Sequence, residues 1–257
     1  MRYLAIAAAI FLGGPAFAEQ SELFHDAHAC PERGVKSACI FGKIPGGTKL
    51  TLITRGWKAS AEARETFPNN DFDNGHKTIT RLESSGKPPT GTIMIAVAAP
   101  TDSIEVIATL EIHDENISRR AAEFVSRMKG LEGKNGWGYK YEIQTRIFKL
   151  SPAITIAEAR FTSHIETADP DTKEKLIVGE HLDDDTVPLL VGSNMLDLFA
   201  STRKGDETFC GGIVAAFKMS GRMHLLSNAE VCETDLPSTT LVHDLSGKVP
   251  KLVFQSW

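Results

Sequence analysis

The sequence predicts an α+β fold that is mostly antiparallel β, with one main amphipathic helix at about residues 114–129. Three observations predict it: strand-type alternation recurs along the chain, one segment has helical spacing, and strands and helices do not alternate regularly. Regular alternation would have indicated a doubly wound parallel sheet. The alternative is a β-sandwich or a barrel-like all-β fold with one covering helix.

The first segment predicts export. Residues 1–18 contain one basic residue, an apolar run at 3–12, a Gly-Gly-Pro break and the small residues of Ala-Phe-Ala. This order is typical of a signal peptide, with cleavage between Ala18 and Glu19. A spanning helix needs about 20 apolar residues, so no transmembrane anchor is expected. The sequence predicts a soluble periplasmic protein, with an extracellular one as the alternative.

The next feature is a short cysteine-bounded loop. An even number of cysteines in an exported chain predicts disulfides, and proximity favours Cys30 with Cys39. The competing interpretation is a zinc or copper site formed by His25, His28 and Cys30. Since Cys30 is expected in a disulfide, no metal site is predicted.

Four strands are predicted in the first half of the chain. Residues 48–54 follow a Pro-Gly-Gly turn, and residues 77–82 follow the turn signal Asp73-Asn74-Gly75. Residues 92–98 are apolar on both faces, which indicates a buried strand. Residues 104–112 alternate regularly, which predicts a single strand with Ile104 and Leu110 on one face.

The period then changes to that of a helix. Apolar residues recur at helical spacing from Ile117 to Met128. Asp114, Asn116 or Ser118 is the expected N-cap, and Gly130 is expected to end the helix. The residues between the apolar positions include Arg119, Arg120, Glu123 and Arg127.

Glycines 133, 136 and 138 mark a turn or hinge. If the mature chain has two domains, the sequence places them at residues 19–132 and 139–257; a single domain is the alternative. Strands are predicted at 139–147, 154–165, 176–178, 195–200 and 252–254. Acidic loops are predicted at 169–171 and 183–185.

Residues 209–233 predict a β-hairpin around Gly221. Folding the segment symmetrically about this glycine places Cys210 opposite Cys232, which predicts the second disulfide. The same register places Phe217 and Leu225 on an apolar face, with His224 and Asn228 on a polar face. A two-residue Gly221-Arg222 turn would shift the register by one and require a bulge to restore the pairing.

Composition excludes several functions. The chain has 28 Lys+Arg and 33 Asp+Glu; loss of Arg2 with the signal leaves 27 against 33, a formal charge of −6. Without a basic run, no nucleic-acid partner is expected. Phosphate-binding and dinucleotide motifs are absent, so no cofactor is predicted.

The leading functional hypothesis is a non-catalytic binding or envelope-associated protein, whose partner is a protein or another envelope component. One alternative is an envelope hydrolase whose site pairs a histidine with a carboxylate. Another is a carrier that holds a small molecule between sheets. The histidines considered for the hydrolase are His113, His164, His181 and His224.

Overall fold

The computed structural model describes residues 23–69, 78–131, 139–168, 175–203, 208–232 and 238–256. The predicted signal peptide with Ala18 and Glu19, the turn at residues 73–75, the glycines at 133–138 and the acidic loop at 169–171 lie outside these ranges. The strands are β1 (Phe24–Ala29), β2 (Ser37–Phe41), β3 (Lys49–Thr54), β4 (Trp57–Pro68), β5 (Thr78–Ser84), β6 (Met94–Val97), β7 (Ile104–Ile107), β8 (Leu110–Ile112), β9 (Tyr139–Ser151), β10 (Ile154–Ala168), β11 (Lys175–Val191), β12 (Leu196–Asp197), β13 (Gly212–Met219), β14 (Arg222–Ala229), β15 (Thr239–Asp244) and β16 (Lys251–Gln255).

The predicted fold class is confirmed: the protein is mostly antiparallel β with one helix, α1 (Glu115–Met128). Six strands close a barrel in the order β1-β2-β5-β4-β3-β6. Two open sheets follow, which we call the inner sheet (β16-β15-β14-β13-β7) and the outer sheet (β12-β11-β10-β9-β8). A closed barrel and stacked open sheets, the two arrangements named in the alternative prediction, therefore occur together.

The four hydrophobic clusters lie in series. One fills the barrel, mainly with small and medium side chains such as Ala61 and Leu82. The second lies between barrel and inner sheet, where Phe24 meets Phe217 with ring centroids 6.5 Å apart. The third lies between the two sheets, and the fourth between outer sheet and α1. The molecule is therefore layered as barrel, inner sheet, outer sheet and helix.

A bulge in β13 joins three of these layers. The register shifts between Ile213 and Ala215. From the barrel, Arg55 Nη2 donates to the carbonyl oxygen of Ile213 at 2.9 Å. From the outer sheet, Glu158 Oε2 accepts from the backbone N–H of Ile213, also at 2.9 Å. The bulge frees backbone groups that a regular ladder would use, and both neighbouring layers bind them.

The predicted single strand at residues 104–112 is wrong. The segment divides into β7, which pairs with β13 in the inner sheet, and β8, which pairs with β9 in the outer sheet. Leu110 is 64 % exposed instead of sharing a buried face with Ile104. Alternation persists through the crossing, so the pattern does not reveal the change of sheet. The proposed division into two domains stays a prediction, although these pairings cross it.

The helix forms as predicted, and its cap is resolved among the three candidates. Asp114 Oδ1 accepts from the backbone N–H of Ile117 at 3.0 Å, so Asp114 is the N-cap. Gly130, with φ of 61°, follows the last turn. Ala121 and Val125 are fully buried against the outer sheet. No helix within the described residues has the length and apolar character needed to span a bilayer.

Several strands were not predicted: β1, β2, β4 and β15. β1 reads Phe-His-Asp-Ala-His-Ala, in which polar side chains hide the alternation. The segment at 195–200 contains only the two-residue β12 as strand. The predicted acidic loop at 183–185 is wrong, because these residues pair with β10 inside β11. For the unpredicted strands and for residues 183–185, long-range pairing overrides local composition.

Candidate functional site

Both predicted disulfides are confirmed. Cys30 bonds Cys39 with Cα atoms 5.8 Å apart, and Cys210 bonds Cys232 with Cα atoms 5.2 Å apart. Cys30, the sulfur ligand in the alternative zinc or copper site, is therefore bonded in the first disulfide. His25 and His28 also lie three residues apart on β1, which places their side chains on opposite faces of the strand. His28 stacks on the Phe41 ring at 5.1 Å.

The hairpin register differs from the prediction. A two-residue turn, Ser220-Gly221, joins the strands with φ of 50° and 75°, so Met219 faces Arg222. Positive φ at both residues is typical of a type I′ turn, whose twist matches that of the strands. Phe217 consequently lies opposite His224, not on the Leu225 face.

The predicted polar face of the hairpin is also wrong. His224 and Asn228 are only 4 % and 7 % exposed, because the barrel covers that side of the inner sheet. Cys210 donates its N–H to the Glu230 carbonyl at 2.8 Å, so the bridged cysteines are not directly opposite one another. The disulfide therefore links two residues that are offset from one another along the two paired segments of the hairpin.

The histidines considered for hydrolysis lie in separate places. His113 is exposed between β8 and α1, with its Nε2 3.9 Å from a Glu115 carboxylate oxygen. His164 is on β10, and the side chain of His181 lies outside the described part of the chain. His224 is buried between barrel and inner sheet, stacked on Phe217 at 5.1 Å.

His224 does lie opposite an acid, Asp244, in the β14–β15 pair. Asp244 accepts from Arg222 Nη1 at 3.1 Å. The nearby Ser246 hydroxyl accepts the backbone N–H of Met223 at 2.8 Å and is used there as a turn contact. Burial lowers the pKa of His224, the neighbouring Asp244 opposing it. The arrangement packs the hairpin against the barrel and presents no open nucleophile.

A second group of charges is buried between the C-terminal end of the helix and the interior of β11. Asp185, with 0 % side-chain exposure, accepts from Arg203 Nη1 at 2.9 Å, from Lys129 Nζ at 3.1 Å and from the Phe209 N–H at 2.7 Å. Asp197 accepts from Arg203 Nε at 3.3 Å. Burial raises the pKa of Asp197, and the Arg203 charge opposes that shift.

We call these four side chains, Asp185, Asp197, Arg203 and Lys129, the buried ion cluster. It contains two carboxylates and two cations, so its formal charge is zero. It connects the end of α1, β11, the chain after β12 and the residue before Cys210. Asp185, which was predicted to lie in a solvated acidic loop, therefore belongs to a buried ion cluster that links several layers of the fold.

His243 is the most perturbed titrating group among the described residues. It is 2 % exposed, and it faces Leu225 in the core between the two sheets. Burial lowers its pKa to about 4, opposed by a hydrogen bond to the Leu198 backbone. Its Nδ1 atom has no hydrogen-bond partner within the described residues. The side chain is held neutral in an apolar layer.

We expect this histidine to make folding acid-sensitive. The unfolded chain binds a proton near pH 6.5, and the folded chain only near pH 4. The contribution is fully present above pH 6.5 and is lost as pH falls from 6.5 to 4, by about 3 kcal/mol in total. Urea unfolding at pH 7 and pH 4.5 measures it.

The matched variant is His243→Leu, which removes this titration. Burial also lowers the pKa values of His28 and His224, so the variant retains part of the acid sensitivity. It should lose less stability than the wild type between the two pH values. Equal losses in both proteins would contradict this assignment.

Two solvent-open cavities flank the helix on the outer sheet; together they form what we call the helix face. The first has a volume of about 570 Å³ and the second about 290 Å³. Glu123 and Arg127 line both. The other lining residues are Ala122, Ser126, Tyr141 and Ile143 in the first cavity, and Arg120, Phe124, Ser193, Asn194 and Met195 in the second.

The charges on the helix face are unevenly compensated. Arg119 Nη1 donates to Glu123 Oε1 at 2.9 Å, so this acid already has a cation. Arg120 donates to the carbonyl oxygens of Gly192 and Ser193 at 2.6 and 3.1 Å, which carry no formal charge. Within the described residues, the Arg127 guanidinium has neither a hydrogen bond nor an ion pair. The face thus presents two guanidinium groups without a carboxylate partner.

The barrel carries a groove of about 640 Å³ with a different character. It is lined largely by hydroxyl and charged side chains. Arg64, one of its lining residues, forms ion pairs with Glu62 at 2.6 Å and with Glu83 at 2.8 Å. Arg64 is thus neutralised by two carboxylates, unlike Arg120 and Arg127 of the helix face.

The sequence indicated the helix and its arginines but not the cavities. Arg120 and Arg127 are seven residues apart, a spacing that places them on one side of a helix. The loop at Gly192–Ser193 that holds Arg120 is about 70 residues away and is not visible in the local pattern. Comparisons with protein-family models, with curated proteins and with solved structures found no match for this chain.

Proposed function

We propose that the chain is an exported, non-catalytic binding protein of the periplasm, and that its partner, a protein of the envelope, docks on the helix face. The observation that carries the proposal is Arg127. This exposed guanidinium borders both cavities and has no partner within the described residues. A cationic group in a concave surface favours association with an acidic partner.

Export is supported by the signal-type segment at residues 1–18 and by the disulfides. Both bridges are of the kind that persists in oxidising compartments. They are compatible with a protein that folds outside the cytoplasm.

Surface binding is favoured over the two alternatives. The barrel interior is filled by side chains such as Ile40 and Met94, and the space between the two sheets by side chains such as Phe199 and Leu225, which argues against a ligand carried in either place. For the hydrolase, His113 is exposed on a loop, whereas His224 is enclosed by aromatic rings.

Site-specific photo-crosslinking in the native host tests the proposal. A photoreactive residue replaces Ser126, which lines the larger cavity. The matched control replaces Val35, which is 68 % exposed on the barrel side of the molecule. We expect a discrete adduct from position 126 and none from position 35. Adducts from neither position, or equally from both, would contradict the proposal.

A further inference from the structure

We infer that the smaller cavity of the helix face binds an extended acidic segment of the partner, with two carboxylates three residues apart. The inference rests on the proposed function, which it makes more specific. It follows from the fixed position of Arg120, the spacing of Arg127 and the neutralised charge of Glu123.

Arg120 is the ordered half of the site. It is half-buried, and its Nη2 atom is held by the two carbonyls of residues 192 and 193. Arg120 lines the smaller cavity, and its Nε and Nη1 groups have no hydrogen-bond partner within the described residues. A donor that is already ordered loses little conformational entropy when it binds a carboxylate.

Arg127 is the second half of the site. Seven residues of helix at 1.5 Å each separate the two Cα atoms by about 10 Å along the axis. Glu123 lies between them but is paired with Arg119. Its charge therefore does not neutralise either arginine of the cavity. Phe124 and Met195 supply apolar wall beside the charged groups.

This spacing selects the shape of the ligand. In a polyproline II segment, which has about three residues per turn and a rise of about 3.1 Å per residue, residues three apart lie on the same side and about 9 Å apart, close to the axial separation of the two arginine Cα atoms. A single phosphate or carboxylate does not span a separation of this size. A cavity of about 290 Å³ is at the lower limit of ligand pockets and suits individual side chains.

Fluorescence anisotropy with a labelled peptide tests the inference. The probe is a decapeptide containing Glu-Pro-Pro-Glu, whose prolines favour the extended polyproline II conformation, and its control has both glutamates replaced by glutamine. The purified, disulfide-bonded protein should bind the first peptide at least about tenfold more tightly, because charged hydrogen bonds are lost in the second. Added salt should weaken the binding of the first peptide.

Three variants locate the binding. Arg127→Glu and Arg120→Gln should each weaken the acidic peptide about tenfold or more, while Arg81→Gln, which removes a barrel cation paired with Glu65, should leave it unchanged. Urea unfolding confirms that each variant is folded. Equal affinity for both peptides, unchanged binding by Arg127→Glu, or displacement of the peptide by millimolar phosphate at constant ionic strength would overturn the inference.

The two proposals fail in different ways. If position 126 gives a partner adduct and the acidic peptide does not bind, the helix face is an interface but its ligand is not a carboxylate pair. If position 126 gives no adduct, the proposed function itself is contradicted.

Discussion

Gly211→Ala is expected to destabilise the protein by about 3 kcal/mol or more, at the upper end of overpacking effects. A Cβ atom at residue 211 would lie 1.9 Å from the carbonyl oxygen of Asn228 and 2.6 Å from its carbonyl carbon. Both are backbone atoms of β14, so neither can rotate away. The adjacent Cys210 N–H already donates a hydrogen bond to the Glu230 carbonyl oxygen. The Cys210–Cys232 disulfide holds the two segments of the hairpin together at this point.

The matched control is Gly86→Ala. Its Cβ would meet only the side chains of Trp57 and Ala59, at 3.6 Å or more, which is ordinary van der Waals contact. Its stability should stay within about 1 kcal/mol of the wild type. Urea unfolding under non-reducing conditions measures both variants. If Gly211→Ala is as stable as Gly86→Ala, the backbone around residue 211 does not approach Asn228 as closely as stated above.

Asp185→Asn is expected to destabilise folding by about 3–5 kcal/mol. The substitution removes, of the two carboxylates in the buried ion cluster, the one that contacts both Arg203 and Lys129. Breaking a buried ion pair by removing one partner is costly, because the remaining charge is poorly solvated. The fully buried position of Asp185 makes rescue by water difficult.

Asp184→Asn is the matched control from the neighbouring position. Asp184 pairs with Arg160, whose side chain is 59 % exposed, so water replaces much of the lost interaction. We expect a loss of about 1 kcal/mol or less. Chemical denaturation of the two variants at pH 7 compares them. Similar losses at both positions would contradict the distinction between buried and exposed pairs.

The parts of the fold that local chemistry determines were predictable. α1 has a capping Asp114, a helical apolar period and a glycine after its last turn, and all three act within the segment itself. The cysteine pairings followed from short separations. The strands at 48–54 and 92–98 are apolar enough to be recognised without their partners.

The remaining elements depend on distant partners. β1 reads as polar, yet Phe24 packs between barrel and inner sheet and Asp26 accepts from Thr240 Oγ1 at 3.0 Å. Asp185 resembles a loop residue because its cations, Lys129 and Arg203, approach from other segments. Such residues look like surface residues in sequence, since the groups that satisfy them are remote.

The hairpin and the helix face show the same limit at the level of the site. Symmetry about Gly221 predicted the correct disulfide with the wrong register, because the turn centre and the β13 bulge each move the pairing. The arginines of α1 were visible, but which of them is neutralised depends on the loop at Gly192 and on Glu123. Charge compensation is a property of the folded surface.

We propose that this protein works outside the cytoplasm as a disulfide-bonded chain that begins near Glu19. Intact mass and N-terminal sequencing of the protein purified from its host, without reduction and after thiol alkylation, test it most directly. We predict a chain starting at Glu19 with no alkylated cysteine, its four sulfurs bonded as Cys30–Cys39 and Cys210–Cys232. A folded protein that retains Met1 and has four alkylated thiols would contradict the claim.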